Sequence, residues 1–226
     1  MHKLNRRIFL VFVFALALNA APVFAAEKSY DSRRWEKNIA AYEAGDKTNP
    51  PPRDVIVFIG SSSILKWTTL AQDFPEYKVI NRGFGGSHLC DSVFYADRIV
   101  IPYKPKIVVL FAGSNDINFG KTPEQVLSDF RAFVEKVQTA LPKTRIAYIS
   151  TGISPSRWVQ VEKVKVANKL ISDFIAKKDK LVFINVFPAM LGADGKPKPD
   201  IYAGDKLHLN AKGYALWTEI VRPFLK

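Results

Sequence analysis

The sequence predicts an α/β protein, a three-layer α/β/α sandwich around a parallel sheet of about five strands. Two observations predict it. Apolar runs of strand length alternate with segments of helix length, and those runs are continuously apolar, the pattern of strands covered on both faces. Composition supports the same class by exclusion. With 48% hydrophobic and 24% charged residues, 12 glycines and 14 prolines among 226, the chain is not disordered, collagenous or low-complexity. A single domain of this size buries roughly 70% of the surface of its unfolded chain, enough for a deep core.

The first segment is read as a leader. Lys3, Arg6 and Arg7 precede an uncharged apolar run from Ile8 to Leu18, and Val23 and Ala25 occupy small-residue cleavage positions, so residues 1–25 form a secretory signal peptide. As a helix the run spans about 16 Å against a hydrocarbon core of ~30 Å. A periplasmic or secreted protein without a stable membrane anchor is expected. The net charge is +12, and losing the leader's three bases leaves +9. The lysines are scattered, which suits solubility or anionic envelope surfaces and not nucleic acid. Cys90 is the single cysteine, so no intramolecular disulfide forms and the core alone holds the fold.

Residues 26–52 are expected to hold an N-terminal helix over 30–44 and the stiff linker Pro50-Pro51-Pro52, which cannot continue a helix. The main domain is placed at 53–226. Its strands are expected at Val55–Ile59, Lys78–Ile80, Ile107–Phe111, Arg145–Ser150 and Leu181–Asn185. Thr122-Pro123-Glu124-Gln125 is a capping box with proline at the first helical position. Val126, Phe130, Phe133, Val134 and Val137 follow as one apolar face. Ser154-Pro155 opens a further helix with the stripe Val164, Ala167, Ile171 and Phe174, and Asn210–Leu225 closes the chain as a last one. This alternation predicts flavodoxin-like winding, with a site at the carboxyl ends of the strands.

The residues after those strand ends are unusually polar. They are Gly60-Ser61-Ser62-Ser63, Asn81 through His88, Ala112-Gly113-Ser114-Asn115-Asp116 and, before the last helix, Asp205-Lys206-Leu207-His208. A serine nucleophile needs a base, a carboxylate to orient it, and donors for the developing oxyanion. Ser62 at the first turn, His208 as base, Asp205 as its orienting carboxylate, and the Gly85-Gly86 backbone with the Asn115 amide as donors meet that need. Taken singly, each has a plainer reading: the serines as helix caps, Asn115 and Asp116 as turn formers, Asp205 and His208 as a surface pair. His88, with Asp91 nearby, is a rival base, a substrate contact or a loop residue. The glycines of Gly83-Phe84-Gly85-Gly86 lack the third glycine of a dinucleotide fingerprint and the Lys-Ser/Thr of a phosphate loop.

Together these segments resemble the SGNH hydrolases, the superfamily of GDSL esterases and lipases, over Val55 to Trp217. Gly60-Ser61-Ser62 is similar to its Gly-Asp-Ser block, Asn81 to Gly86 to its oxyanion-glycine block, Gly113-Ser114-Asn115-Asp116 to its Gly-x-Asn-Asp block, and Asp205 with His208 to its Asp-x-x-His block. Ser61 departs from the family by replacing the aspartate before the nucleophile. The resemblance implies Ser62, Asp205 and His208 as catalytic residues and Ser62, Gly86 and Asn115 as the oxyanion hole. It implies no cofactor or metal, and a carboxylic ester as substrate, either a small molecule or an ester on a polysaccharide or lipid. Without a lid-length insertion, short acyl or acetyl esters are expected. A lysophospholipase or thioesterase, or a noncatalytic carbohydrate-binding module on the same fold, is the alternative. The substrate-binding residues and the oligomeric state are not readable.

Overall fold

Five strands form one parallel sheet in the computed structural model, which describes residues 30–226. The leader and its cleavage site lie outside the described residues. The strands are β1 (Ile56–Gly60), β2 (Val79–Gly83), β3 (Ile107–Phe111), β4 (Arg145–Ile149) and β5 (Leu181–Ile184). Their order is β2-β1-β3-β4-β5, the flavodoxin-like winding expected from the sequence. β1 lies between β2 and β3, with Gly60 paired to Gly83 on one side and to Phe111 on the other.

Alternate residues of each strand feed two cores, as period-2 geometry requires. Val57, Ile59, Val108, Leu110, Ile146 and Tyr148 face one helical layer. That layer is made of α1 (Glu36–Thr48), α4 (Leu89–Ile99), α6 (Pro123–Ala140) and α7 (Val161–Ile175). Ile56, Phe58, Ile107, Val109 and Ile149 face the other, which holds α2 (Ser62–Leu65), α3 (Leu70–Asp73) and α8 (Ala211–Val221). The next α-helix in sequence after α4, α5 (Ser114–Phe119), follows β3 directly. Trp67 is the hub of the second core, with ring centroids 5.7 Å from Phe58, 5.6 Å from Phe74 and 5.3 Å from Tyr214.

Several elements differ at their ends from the sequence reading. The N-terminal helix runs Glu36–Thr48 after a 3₁₀ turn at Ser32–Trp35, later than 30–44. Nothing before Pro50 stops it, and the Thr48 hydroxyl bonds the Gly45 carbonyl at 2.8 Å to close its last turn. This helix packs within the unit Ser32–Lys226: Trp35 Nε1 donates to Asp91 Oδ2 (3.0 Å), and Arg98 pairs with Glu36 and Glu43. β2 continues through Asn81-Arg82-Gly83, read earlier as loop, because both polar side chains find partners. Arg82 pairs with Asp46 and bonds Tyr103 Oη, and the Asn81 amide donates to Ile64 O at 2.6 Å. The segment opened by Ser154-Pro155 is first a 3₁₀ stretch, Pro155–Gln160, broken at Arg157 (φ −118°, ψ 16°), and α7 starts only at Val161. The last helix is α-helical to Val221 and 3₁₀ over Arg222–Leu225, since Pro223 supplies no N–H for the ladder.

Candidate active site

The site forms where β1 and β3 end. Gly60 has φ +137°, and a Cβ there would lie 1.9 Å from the Phe111 carbonyl oxygen. Only glycine lets the chain turn this close to β3. Ser61 then donates its N–H to that same oxygen at 2.9 Å, and Ser62 opens α2. The turn is clamped from two sides. Asn81 holds the Ile64 carbonyl, and Tyr214 Oη of α8 donates to Ser63 O at 3.0 Å. The N–H of Ser62 has no hydrogen-bond partner among the described residues.

Ser62 Oγ stands 3.0 Å from His208 Nε2, and His208 Nδ1 stands 2.6 Å from Asp205 Oδ2. Asp205 Oδ1 accepts the backbone N–H groups of Leu207 (3.0 Å) and His208 (2.9 Å). The bond from the His208 ring, then those two N–H groups, hold the Asp205 carboxyl well below the usual carboxylate range. Asp205 is therefore an anion, and it favours the tautomer that carries its proton on Nδ1 and turns the Nε2 lone pair to Ser62 Oγ. Lys66 Nζ, 3.2 Å from the same Nδ1, is a donor only and favours the opposite tautomer. Asn210 steadies this loop. Its side chain caps α8 through Gly213 N–H (3.2 Å) and donates to Asp200 O (2.8 Å) and Tyr202 O (2.9 Å).

Asn115 lines the same pocket as Ser62 and His208. Its Nδ2 donates to Ser87 O at 3.0 Å, and its Oδ1 accepts from Arg157 at 2.9 Å. Gly85 is set against the Ser62 turn, since a Cβ there would stand 4.0 Å from Ser62 Cβ. Gly86, at φ +77°, approaches the Trp35 ring, and its N–H has no partner among the described residues. The pocket has room for the centres of a few waters, about 40 Å³, over a floor that includes Phe111, Trp217 and Met190.

His88 is elsewhere. It is 3% exposed, precedes α4, and gives its backbone N–H to Asp91 Oδ2 at 2.8 Å. Burial, and next the charge of Lys121, pull its pKa down to about 4, so it is neutral at pH 7. Asp116 is fully buried, accepts the Leu89 N–H (3.1 Å) and pairs with Lys121 (3.0 Å); it braces the loop beside Asn115. Ser114, from the Gly-x-Asn-Asp segment, and Ser154, read only as a helix start, also line the pocket, as do Arg157 and Tyr202, which were not singled out from the sequence. Arg157 sat in a segment that read only as a helix start, and nothing in its spacing distinguished it from a surface arginine.

A family model described as the GDSL-like lipase/acylhydrolase family matches residues 60–216. The chain belongs to that family. It is accordingly a carboxylic ester hydrolase. Among curated proteins it is similar to platelet-activating factor acetylhydrolase IB subunit alpha1 of Pongo abelii and of Homo sapiens. Each is 28% identical, with 80% of this chain and 78% of the relative covered. Among solved structures it is similar to a GDSL-like lipase from Bacteroides thetaiotaomicron (TM-score 0.70, 21% identity, 86% of this chain and 97% of that one). It is also similar to a carbohydrate esterase family 3 protein from Talaromyces cellulolyticus (TM-score 0.64, 16% identity, 76% and 95%). At these identities the two structures speak for the fold.

Proposed function

We propose that this GDSL-family hydrolase is an exported serine esterase that removes acetyl or other short acyl groups through an acyl-enzyme. The observation that carries the reading is the unbroken line from Asp205 through His208 to Ser62, with contacts of 2.6 and 3.0 Å. In the first half-reaction Ser62 Oγ attacks the ester carbonyl while His208 Nε2 takes its proton. The carbonyl oxygen becomes an oxyanion, held by the Ser62 N–H, the Gly86 N–H and an Asn115 amide hydrogen. The ester C–O bond then breaks, and the imidazolium protonates the departing alkoxide. Water repeats the sequence on the acyl-serine, giving the carboxylic acid and free Ser62. Asp205 keeps its charge throughout and steadies the imidazolium.

Acyl size follows from the recess. Room of about 40 Å³, at ~10–15 Å³ for each water centre, suits an acetyl group and not a long chain. The alcohol side is less confined. A wider groove of about 610 Å³, bordered by Trp158, Pro197, Pro199, Lys196 and Lys206, shares Tyr202 with the recess. A bulky alcohol such as a sugar or glycerolipid fits there. The name of the curated relatives, an acetylhydrolase, agrees with a small acyl group, and the apolar leader over residues 1–25 supports export.

The test is hydrolysis of p-nitrophenyl acetate, butyrate and octanoate by the wild type and Ser62→Ala. Acetate is expected to be the best of the three, with turnover falling at least ~10³-fold in the variant. An active Ser62→Ala, or a folded wild type inert on all three esters, refutes the serine mechanism. A maximum at octanoate refutes the short-acyl preference.

A further inference from the structure

Arg157 enters the pocket from the kinked 3₁₀ stretch before α7, and one of its terminal nitrogens donates to Ser114 Oγ (2.8 Å) and Asn115 Oδ1 (2.9 Å). A guanidinium is donor-only. The amide atom facing it must therefore be the oxygen, which turns Nδ2 to the opposite side. There one amide hydrogen is held by Ser87 O at 3.0 Å, leaving the second for the pocket. Two donor-acceptor contacts thus fix both the plane and the flip of the Asn115 amide.

The charge of Arg157 is also uncompensated. Among the described residues both of its acceptors are neutral, and burial lowers its pKa with no carboxylate to offset it. A half-buried cation on the amide oxygen draws electron density from the nitrogen and strengthens its remaining N–H as a donor. We propose, resting on the acyl-transfer reading above, that Arg157 is the positioning residue of the oxyanion hole, orienting and polarising Asn115 so that its free amide hydrogen meets the oxyanion. Its effect belongs to the transition state and not to ground-state binding.

The experiment is a double-mutant cycle on the full chain with Arg157→Met, Asn115→Ala and both together, beside Arg157→Lys and Ser62→Ala. Phenyl acetate and the anionic 4-acetoxybenzoate serve as matched substrates, and thermal melts establish folding. Arg157→Met is expected to lower kcat about 10- to 100-fold on both esters, against ~10²–10³-fold for loss of a whole oxyanion donor, with KM changed less than about threefold. In the Asn115→Ala background it should cost almost nothing more, the mark of one residue acting through another. Arg157→Lys, which keeps a donor and a charge, should recover part of the rate. Arg157→Gln replaces Arg157→Met in the cycle if the latter fails to fold.

Multiplying losses in the double variant overturn the proposal, because Arg157 would then act independently of Asn115. A loss confined to KM for 4-acetoxybenzoate overturns it as well and makes Arg157 an anchor for anionic substrates. Wild-type rates in both arginine variants, or in Asn115→Ala, overturn it while an inactive Ser62→Ala leaves the serine mechanism standing. An active Ser62→Ala fails that mechanism first.

Discussion

His88 and Asp116 are buried together behind the site, and burial moves them in opposite directions. His88 is held down to about 4 by burial and next by the Lys121 charge, with Arg34 and Arg157 adding smaller contributions and Asp91 opposing them, and Asp116 is pushed up to about 6 by burial against the pull of Lys121. Between pH 6.5 and 4 the unfolded chain protonates His88 before the folded one does, so this residue removes stability as pH falls through that window. Asp116 has the reverse sign, since its folded carboxyl takes the proton first and stability grows as pH falls from about 6 to 3.8. Replacing His88 separates the two. Relative to wild type, His88→Asn should gain stability progressively between pH 7 and pH 4.5, by about 3 kcal/mol at most at ~1.4 kcal/mol per pH unit. Melting curves at four or five pH values check it, and a parallel offset at every pH would show that His88 does not titrate as its burial requires.

At the level of elements, everything that aims Ser62 comes from neighbours of β1. The Gly60 turn lies against β3, Asn81 reaches over from β2, and Tyr214 reaches across from α8. Gly60→Ala places a methyl against the Phe111 carbonyl at a positive φ, and it should cost about 3 kcal/mol or more, measured by urea denaturation. An unchanged midpoint would mean the β1 exit relaxes freely. The strand set and its winding were legible because Val55–Ile59 and Ile107–Phe111 are unbroken apolar runs, which only a doubly covered sheet accommodates. The end of β2 was not, since Asn81 and Arg82 look like loop residues until their partners Ile64 and Asp46 are in place. Ser62, Asn115, Asp205 and His208 stood out because each follows a strand or precedes a helix in an order that suits acyl transfer. Arg157 did not, because its meaning lies in contacts to Ser114 and Asn115, 43 and 42 positions earlier, and no local pattern encodes them.

Taken as a whole, the molecule closes its site across 146 residues, from the first turn after β1 to the loop before α8. The two sides are not equally anchored. Ser62 is rooted in the central strands, whereas Asp205 is 46% exposed on its side chain. Its loop is held by the Tyr202–Leu209 bridge, by the Asn210 side chain and by the Ser156 N–H on the Lys206 carbonyl at 3.1 Å, and residues 203–208 between them are not buried. Such a segment can open without disturbing the sheet, because few buried contacts are lost when it does. Catalysis should then fail before the fold does. On heating, half of the esterase activity should be lost several degrees below the midpoint seen by circular dichroism, and should return on cooling as long as the sheet has not melted; coincident curves would mean that the His208 loop opens only together with the core. The hydrolase would thus carry its own thermal cut-out, a reversible one, in the stretch of chain that delivers the base.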